Sequence, residues 1–161
     1  MKLKSTGLKW MKFLHLVSTG IWFGGAVCVG GLAVLCFLSE NPEALLTTAP
    51  VITYLYSNII FFAAIFTLIQ GIIYGFFTNW GFFKHRWLLL KWILVILLFP
   101  CTAMGITQTF AAIGYAGQEL FEQGFAAVGK ALIFIACQII LMLVIILLSV
   151  FKPGSKKTAS E

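Results

Sequence analysis

Four long apolar segments make up most of this 161-residue sequence, and they constrain its fold more than any other feature. The segments cover approximately residues 10–38, 51–79, 87–109 and 126–151. A helix of about 20 mostly apolar residues is long enough to cross the hydrocarbon core of a bilayer. Each segment is therefore predicted to be a transmembrane helix. Residues 1–151 are predicted to form one all-α domain, followed by a flexible cytoplasmic tail over residues 152–161.

The composition excludes a water-soluble fold. The chain is 61% hydrophobic and only 10% charged, whereas about 25% of the residues in soluble domains are charged. The net charge of +6 does not indicate nucleic acid, because the basic residues lie at the ends of the apolar segments and not along one face. The lipid bilayer is the expected partner.

The distribution of basic residues predicts the orientation. If the four helices alternate in direction, every basic residue except Lys130 falls on one side of the membrane. Basic residues accumulate on the cytoplasmic side of membrane proteins, so both termini are predicted to be cytoplasmic. Short connections favour neighbouring helices that run in opposite directions. The predicted fold is therefore an integral membrane, antiparallel four-helix bundle.

Two glycine pairs have the GxxxG spacing that lets transmembrane helices approach closely. Gly20 and Gly24 form the first pair, and Gly71 and Gly75 form the second. One interpretation is close packing within the bundle or in a homodimer. The other is chance, because such spacings are frequent in helices that contain several glycines.

Ionisable residues gather at the predicted cytoplasmic end. His15 begins the first span, His85 and Arg86 precede the third, and Lys91 lies within the third. Trp22 shares the face of His15, seven residues along the helix. These groups suit an anionic amphipathic ligand. Imidazole ligates haem iron while lysine or arginine neutralises the propionates, and a quinone headgroup is a second candidate, hydrogen-bonded by histidine with lysine as proton partner.

Each of these residues also has a simpler interpretation. Lys91 is the candidate catalytic residue because an ionisable group inside a span is usually functional. Its long side chain also allows it to extend to the cytoplasmic headgroups. His15 and His85 are alternatively interfacial residues that contact lipid phosphate.

The sequence resembles the copper-resistance-D-like superfamily at residues 10–15 (WMKFLH), 22–25 (WFGG) and 78–87 (TNWGFFKHRW). That group includes the small membrane protoporphyrinogen oxidase of bacteria, and the last run is most similar to a small integral membrane family without assigned function. The resemblance implies a bacterial cytoplasmic membrane protein with b-type haem. It matches His15 and Lys91 to the oxidase's histidine and lysine, with His15 as the metal ligand.

Three functions follow as hypotheses. The first is a haem-binding redox protein, which transfers electrons to a redox partner or oxidises a membrane-soluble substrate such as a porphyrinogen. The second is a non-enzymatic scaffold or subunit, in which His15 and Lys91 anchor the chain at the interface. The third is copper handling by Cys101 and Met104, because sulfur ligands select Cu(I).

Overall fold

The computed structural model describes residues 5–39, 41–77, 86–102, 106, 109–111 and 121–153. The regular structure of these residues is helical. In chain order the helices are α1 (Ser5–Ser39), α2 (Pro42–Leu55), a π-helical segment (Tyr56–Ile60), α3 (Phe61–Phe77), α4 (Arg86–Pro100) and α5 (Phe121–Phe151).

The second predicted span is one continuous rod of α2, the π segment and α3, and it starts well before residue 51. Asn41 caps its N-terminus, since the Asn41 side chain accepts a hydrogen bond from the Glu43 backbone N–H at 2.9 Å. Proline at the first helical position and an acid in the first turn both favour helix initiation there. The helix then continues through Pro50, which the sequence had placed at the end of a connection.

Within the described residues, three helical stretches are long and apolar enough to cross a membrane: Thr6–Ser39, Glu43–Phe76 and Ala126–Phe151. The third predicted span is described as α4, which reaches Pro100 and passes into a short π-helical turn at Cys101 and Thr102. Most of that span beyond Thr102 lies outside the described residues, as does the predicted tail beyond Pro153. The structure therefore shows an all-helical chain suited to a bilayer, whereas the complete four-helix bundle and its orientation remain predictions.

α1 is the central helix of the described structure. It packs against the α2–α3 rod on one side and against α5 on the other, and α4 packs on α5. Its inner face is a buried row at helical spacing, and its outer face is apolar and exposed, as lipid contact requires. The buried apolar residues of this row are Trp22, Ala26, Val29, Ala33 and Cys36.

The close contacts of α1 use glycines other than the predicted pair. A Cβ atom at Gly25 would lie 2.8 Å from Cγ1 of Ile60, and one at Gly30 would lie 3.0 Å from Cγ2 of Ile135. At Gly20 and Gly24, no atom of another described helix lies within 4 Å of that position. The first GxxxG pair therefore makes no close packing contact with the other helices in the described part of the chain.

Candidate functional site: a polar seam in the bundle interior

The N-terminal half of the inner face of α1 carries three polar side chains at positions that share one helix face: His15, Thr19 and Trp22. Nδ1 of His15, Oγ1 of Thr19 and Nε1 of Trp22 are buried and have no hydrogen-bond partner in the described structure. A buried polar atom without a partner typically costs about 1–3 kcal/mol. Three such atoms along one helix face make it the candidate functional site.

A hydrogen-bond network joins this face to α3. The Ser18 hydroxyl donates to Oε1 of Gln70 at 3.0 Å, and the Thr67 hydroxyl donates to Oγ of Ser18 at 2.9 Å. Each hydroxyl also has a backbone acceptor within reach, the His15 carbonyl at 3.1 Å for Ser18 and the Ala63 carbonyl at 2.7 Å for Thr67. Each hydroxyl proton thus has two alternative acceptors, so the network can shift its donors when a neighbouring group changes.

The imidazole of His15 lies at the centre of the site. It packs edge-on against the ring of Tyr74, with the centroids 6.3 Å apart. The side chain of Gln70 and the ammonium group of Lys91 are the polar groups that act on it electrostatically. His15 and Lys91, the two residues that the sequence singled out from different spans, thus lie within electrostatic range of each other.

Lys91 extends toward α5. Its Nζ donates to Oγ of Ser149 at 2.7 Å, and the Ser149 hydroxyl lies 2.9 Å from the Ile145 carbonyl. The structure describes the side chain of one carboxylate, Glu43. It lies at the end of the α2–α3 rod opposite to Gln70. In the described part of the chain, the half-buried charge of Lys91 therefore has no acidic partner. We call His15, Ser18, Thr19, Trp22, Gln70 and Lys91 together the polar seam.

The remaining predicted site residues differ in placement. Trp22 is buried on the same face as His15. Arg86 is exposed at the first position of α4, and His85 lies outside the described residues. Sequence reasoning did not assign Gln70 and Ser149 to this site. The sequence feature that could have indicated them is a single amide or hydroxyl side chain within an otherwise apolar span.

The described donor set limits which groups the site could hold. Bare ions such as zinc usually require at least three protein ligands, and the described residues contain no group of three or more His, Cys, Asp or Glu that could hold one. Haem brings four equatorial nitrogens of its own, so a single imidazole can hold its iron. Of the copper candidates, Cys101 interacts with Cys137 on α5, and Met104 lies outside the described residues.

The fold and the seam together define a class, a helical protein suited to the bilayer with a polar seam in its apolar interior. Comparison of the chain with family models, with characterised proteins and with solved structures finds no match. The superfamily resemblance of residues 10–15 and 78–87 therefore remains a prediction.

Proposed function

We propose that this chain is a four-helix protein of the bacterial cytoplasmic membrane, with both termini in the cytoplasm, and that it binds b-type haem in the polar seam. The observation that supports this most strongly is the buried, unpartnered Nδ1 of His15 beside the uncompensated charge of Lys91. An imidazole and a cation are the two groups that haem needs, one for its iron and the other for its propionates.

The roles of the residues follow from their chemistry. His15 would hold the iron through a ring nitrogen. Lys91, with Arg86 and the preceding residue His85, would neutralise the propionates, and Lys91 is the candidate catalytic group for a membrane-soluble substrate. Trp22 offers an indole N–H and Thr19 a hydroxyl to the ligand. When bound, haem supplies one-electron redox chemistry, which suits electron transfer or a porphyrinogen-oxidase-like reaction.

The test is an absorbance spectrum of the protein purified in mild detergent from cells well supplied with haem, first oxidised and then reduced. We expect a Soret band and sharp reduced α and β bands at close to one haem per chain. His15→Ala should remove the pigment, while Leu16→Ala, the adjacent and exposed position, should retain it. A colourless wild-type protein, or a His15→Ala variant that keeps its haem, contradicts the proposal.

A second candidate is the non-enzymatic scaffold or subunit, favoured by the outer face of α1. Gly20 and Gly24 face open space there, although glycine lowers helix stability by about 1 kcal/mol relative to alanine. A second copy of the chain is the partner that this surface favours. The mass of the protein in detergent or nanodiscs distinguishes a dimer from a monomer, and Gly24→Ile should shift a dimer toward monomer.

A further inference from the structure

A shallow groove of about 340 Å³ lies between α1 and the π segment and α3, open toward the lipid side. Leu14, Val17 and Ile21 form its α1 wall, and Ile59 and Phe66 form much of the other. Ala63 is among its lining residues, and its small side chain leaves room between the walls. Ligand sites commonly measure about 300–1,000 Å³, so the groove has the size of a small binding site.

The groove reaches the polar seam through one residue. Ser18 lines the groove although only 5% of its surface is exposed, and the same hydroxyl donates to Gln70. Gln70 in turn acts on the imidazole of His15. A polar group that lies against Ser18 is therefore two side chains away from His15, without having to enter the bundle from water.

Depth and charge restrict what can occupy the groove. Ser18 lies six residues beyond Lys12, which is roughly 9 Å deeper at 1.5 Å per residue. A phospholipid headgroup does not reach that depth. None of the described lining residues is charged, so we expect the polar part of the ligand to be compact and neutral and the rest of the ligand to be apolar.

From this geometry we propose that the groove binds a lipid-soluble quinone or quinol, with its ring against Ser18 and its apolar tail along the wall that Phe66 forms. The ring is neutral and flat. As carbonyls, its oxygens can accept the Ser18 hydroxyl proton in place of Gln70 or the His15 carbonyl, and as hydroxyls they can donate a hydrogen bond to Ser18. What the ligand does at this position rests on the proposed redox function. Its binding does not require haem.

The other polar residue of the groove gives an internal comparison. Two contacts give the register of the groove walls, since Ile60 lies against Gly25 and Thr67 bonds to Ser18. Asn58, which precedes Ile60, therefore lies toward the Gly25 end of the groove, away from Ser18. The Asn58 side-chain N–H donates to the carbonyl of Tyr54 at 3.1 Å. If the ring lies at Ser18, Asn58→Leu should leave quinone binding intact.

The experiment uses the full-length protein in nanodiscs with an azido-benzoquinone that carries a ten-carbon tail. After illumination, we expect label within residues 14–21 and 58–66, displaced by excess unlabelled quinone with the same tail. Ser18→Ala should weaken binding about 5-fold, the value of one hydrogen bond of about 1 kcal/mol. Ala63→Phe should fill the groove and abolish displaceable label, whereas Ile72→Phe, which is lipid-facing outside the groove, should not.

Several results overturn the groove assignment. These are label spread evenly over lipid-facing positions, label that excess quinone does not displace, and loss of binding in Asn58→Leu with none in Ser18→Ala. Helical circular dichroism and elution as a single species confirm that each variant is folded. The haem spectrum of the same preparations distinguishes the two proposals. Displaceable label in a colourless protein contradicts the haem proposal alone, whereas a pigmented protein without displaceable label contradicts the quinone proposal alone.

Discussion

The two halves of the inner face of α1 differ in how their buried groups are satisfied. The C-terminal half, from Gly25 to Cys36, consists of small and apolar residues packed so closely that no Cβ fits at Gly25 or Gly30 without displacing a neighbour. The N-terminal half, from His15 to Trp22, contains three buried polar atoms that lack partners in the described structure. Dense packing stabilises the C-terminal half, whereas the unpartnered atoms lower the stability of the N-terminal half. The contrast makes the N-terminal half the candidate functional region.

The largest effect is expected in the packed half. Gly30→Leu should destabilise the protein by about 3 kcal/mol, because even a Cβ atom added at Gly30 would lie 3.0 Å from Cγ2 of Ile135, and the larger leucine side chain has no room. The matched control is Gly31→Leu, where nothing lies within 4 Å. Thermal unfolding in detergent measures both. Equal loss of stability in the two variants would mean that α1 and α5 do not pack in this register.

Lys91 should show opposite effects on stability and on ligand binding. Lys91→Met removes a half-buried cation without an acidic partner, so the ligand-free protein should gain about 1 kcal/mol of stability. The same change should weaken haem binding about 10-fold or more, because the propionates lose a cation. Lys12→Met, at an exposed position of α1, is the control for both measurements, which are thermal unfolding and haem titration. Unchanged haem affinity in Lys91→Met would exclude Lys91 from the site.

Two threonines on neighbouring helices test whether the N-terminal half of the α1 inner face contains unsatisfied polar groups. Thr67→Val removes a hydroxyl that bonds to Ser18 and to the Ala63 carbonyl, so it should destabilise the ligand-free protein by about 1 kcal/mol. Thr19→Val removes a buried oxygen that has no partner, so it should be neutral or stabilising by up to about 1 kcal/mol. Chemical unfolding in mixed micelles compares them. Similar losses in both would show that Thr19 is satisfied in the folded protein.

The smallest effect concerns α4. The thiols of Cys101 and Cys137 interact across α4 and α5. Mild oxidation should therefore link these two thiols, so that after unfolding they resist alkylation while Cys28 and Cys36 react, which mass spectrometry of the alkylated protein can count. A double variant, Cys101→Ser with Cys137→Ser, is the control. Protection of a different pair would mean that α4 lies elsewhere in the bundle.

Much of the fold could be predicted from the sequence, because a chain with so few charges must place long apolar helices in lipid. The start of the second span was predicted too late, at residue 51, because Pro50 was interpreted as a helix breaker. The cap at Asn41 and the acid at Glu43 start the helix earlier, and it continues through Pro50. The glycine pair at Gly20 and Gly24 was recognised, but spacing alone does not say which face points inward. That face is set by the row from Trp22 to Cys36, which buries its side chains against α3 and α5.

The candidate site residues came from the sequence in part, and the site itself stays a prediction. His15 and Lys91 stood out because each ionises within or beside an apolar span. Whether they meet depends on the rotation of α1 and α4 about their own axes, which no local pattern specifies. Ser149 was missed for the same reason, since a single serine near the end of a long apolar helix gains meaning only when Nζ of Lys91 lies 2.7 Å from it.

The π segment sets the phase of the rod. Ile52, Tyr56 and Ile60 follow one another at intervals of four residues on the buried side, wider than the 3.6 of an α-helix. Deleting one residue between Tyr56 and Ile60 would restore an α-helical ladder, but it would turn everything beyond by about 100°. Thr67 and Gln70 would then leave the inner face, while Leu45 and Ile52 kept their places. The wide π turn thus rotates α3 relative to α2 about the rod axis. With this rotation, the closely packed residues of α2 and the polar residues of α3 both face α1.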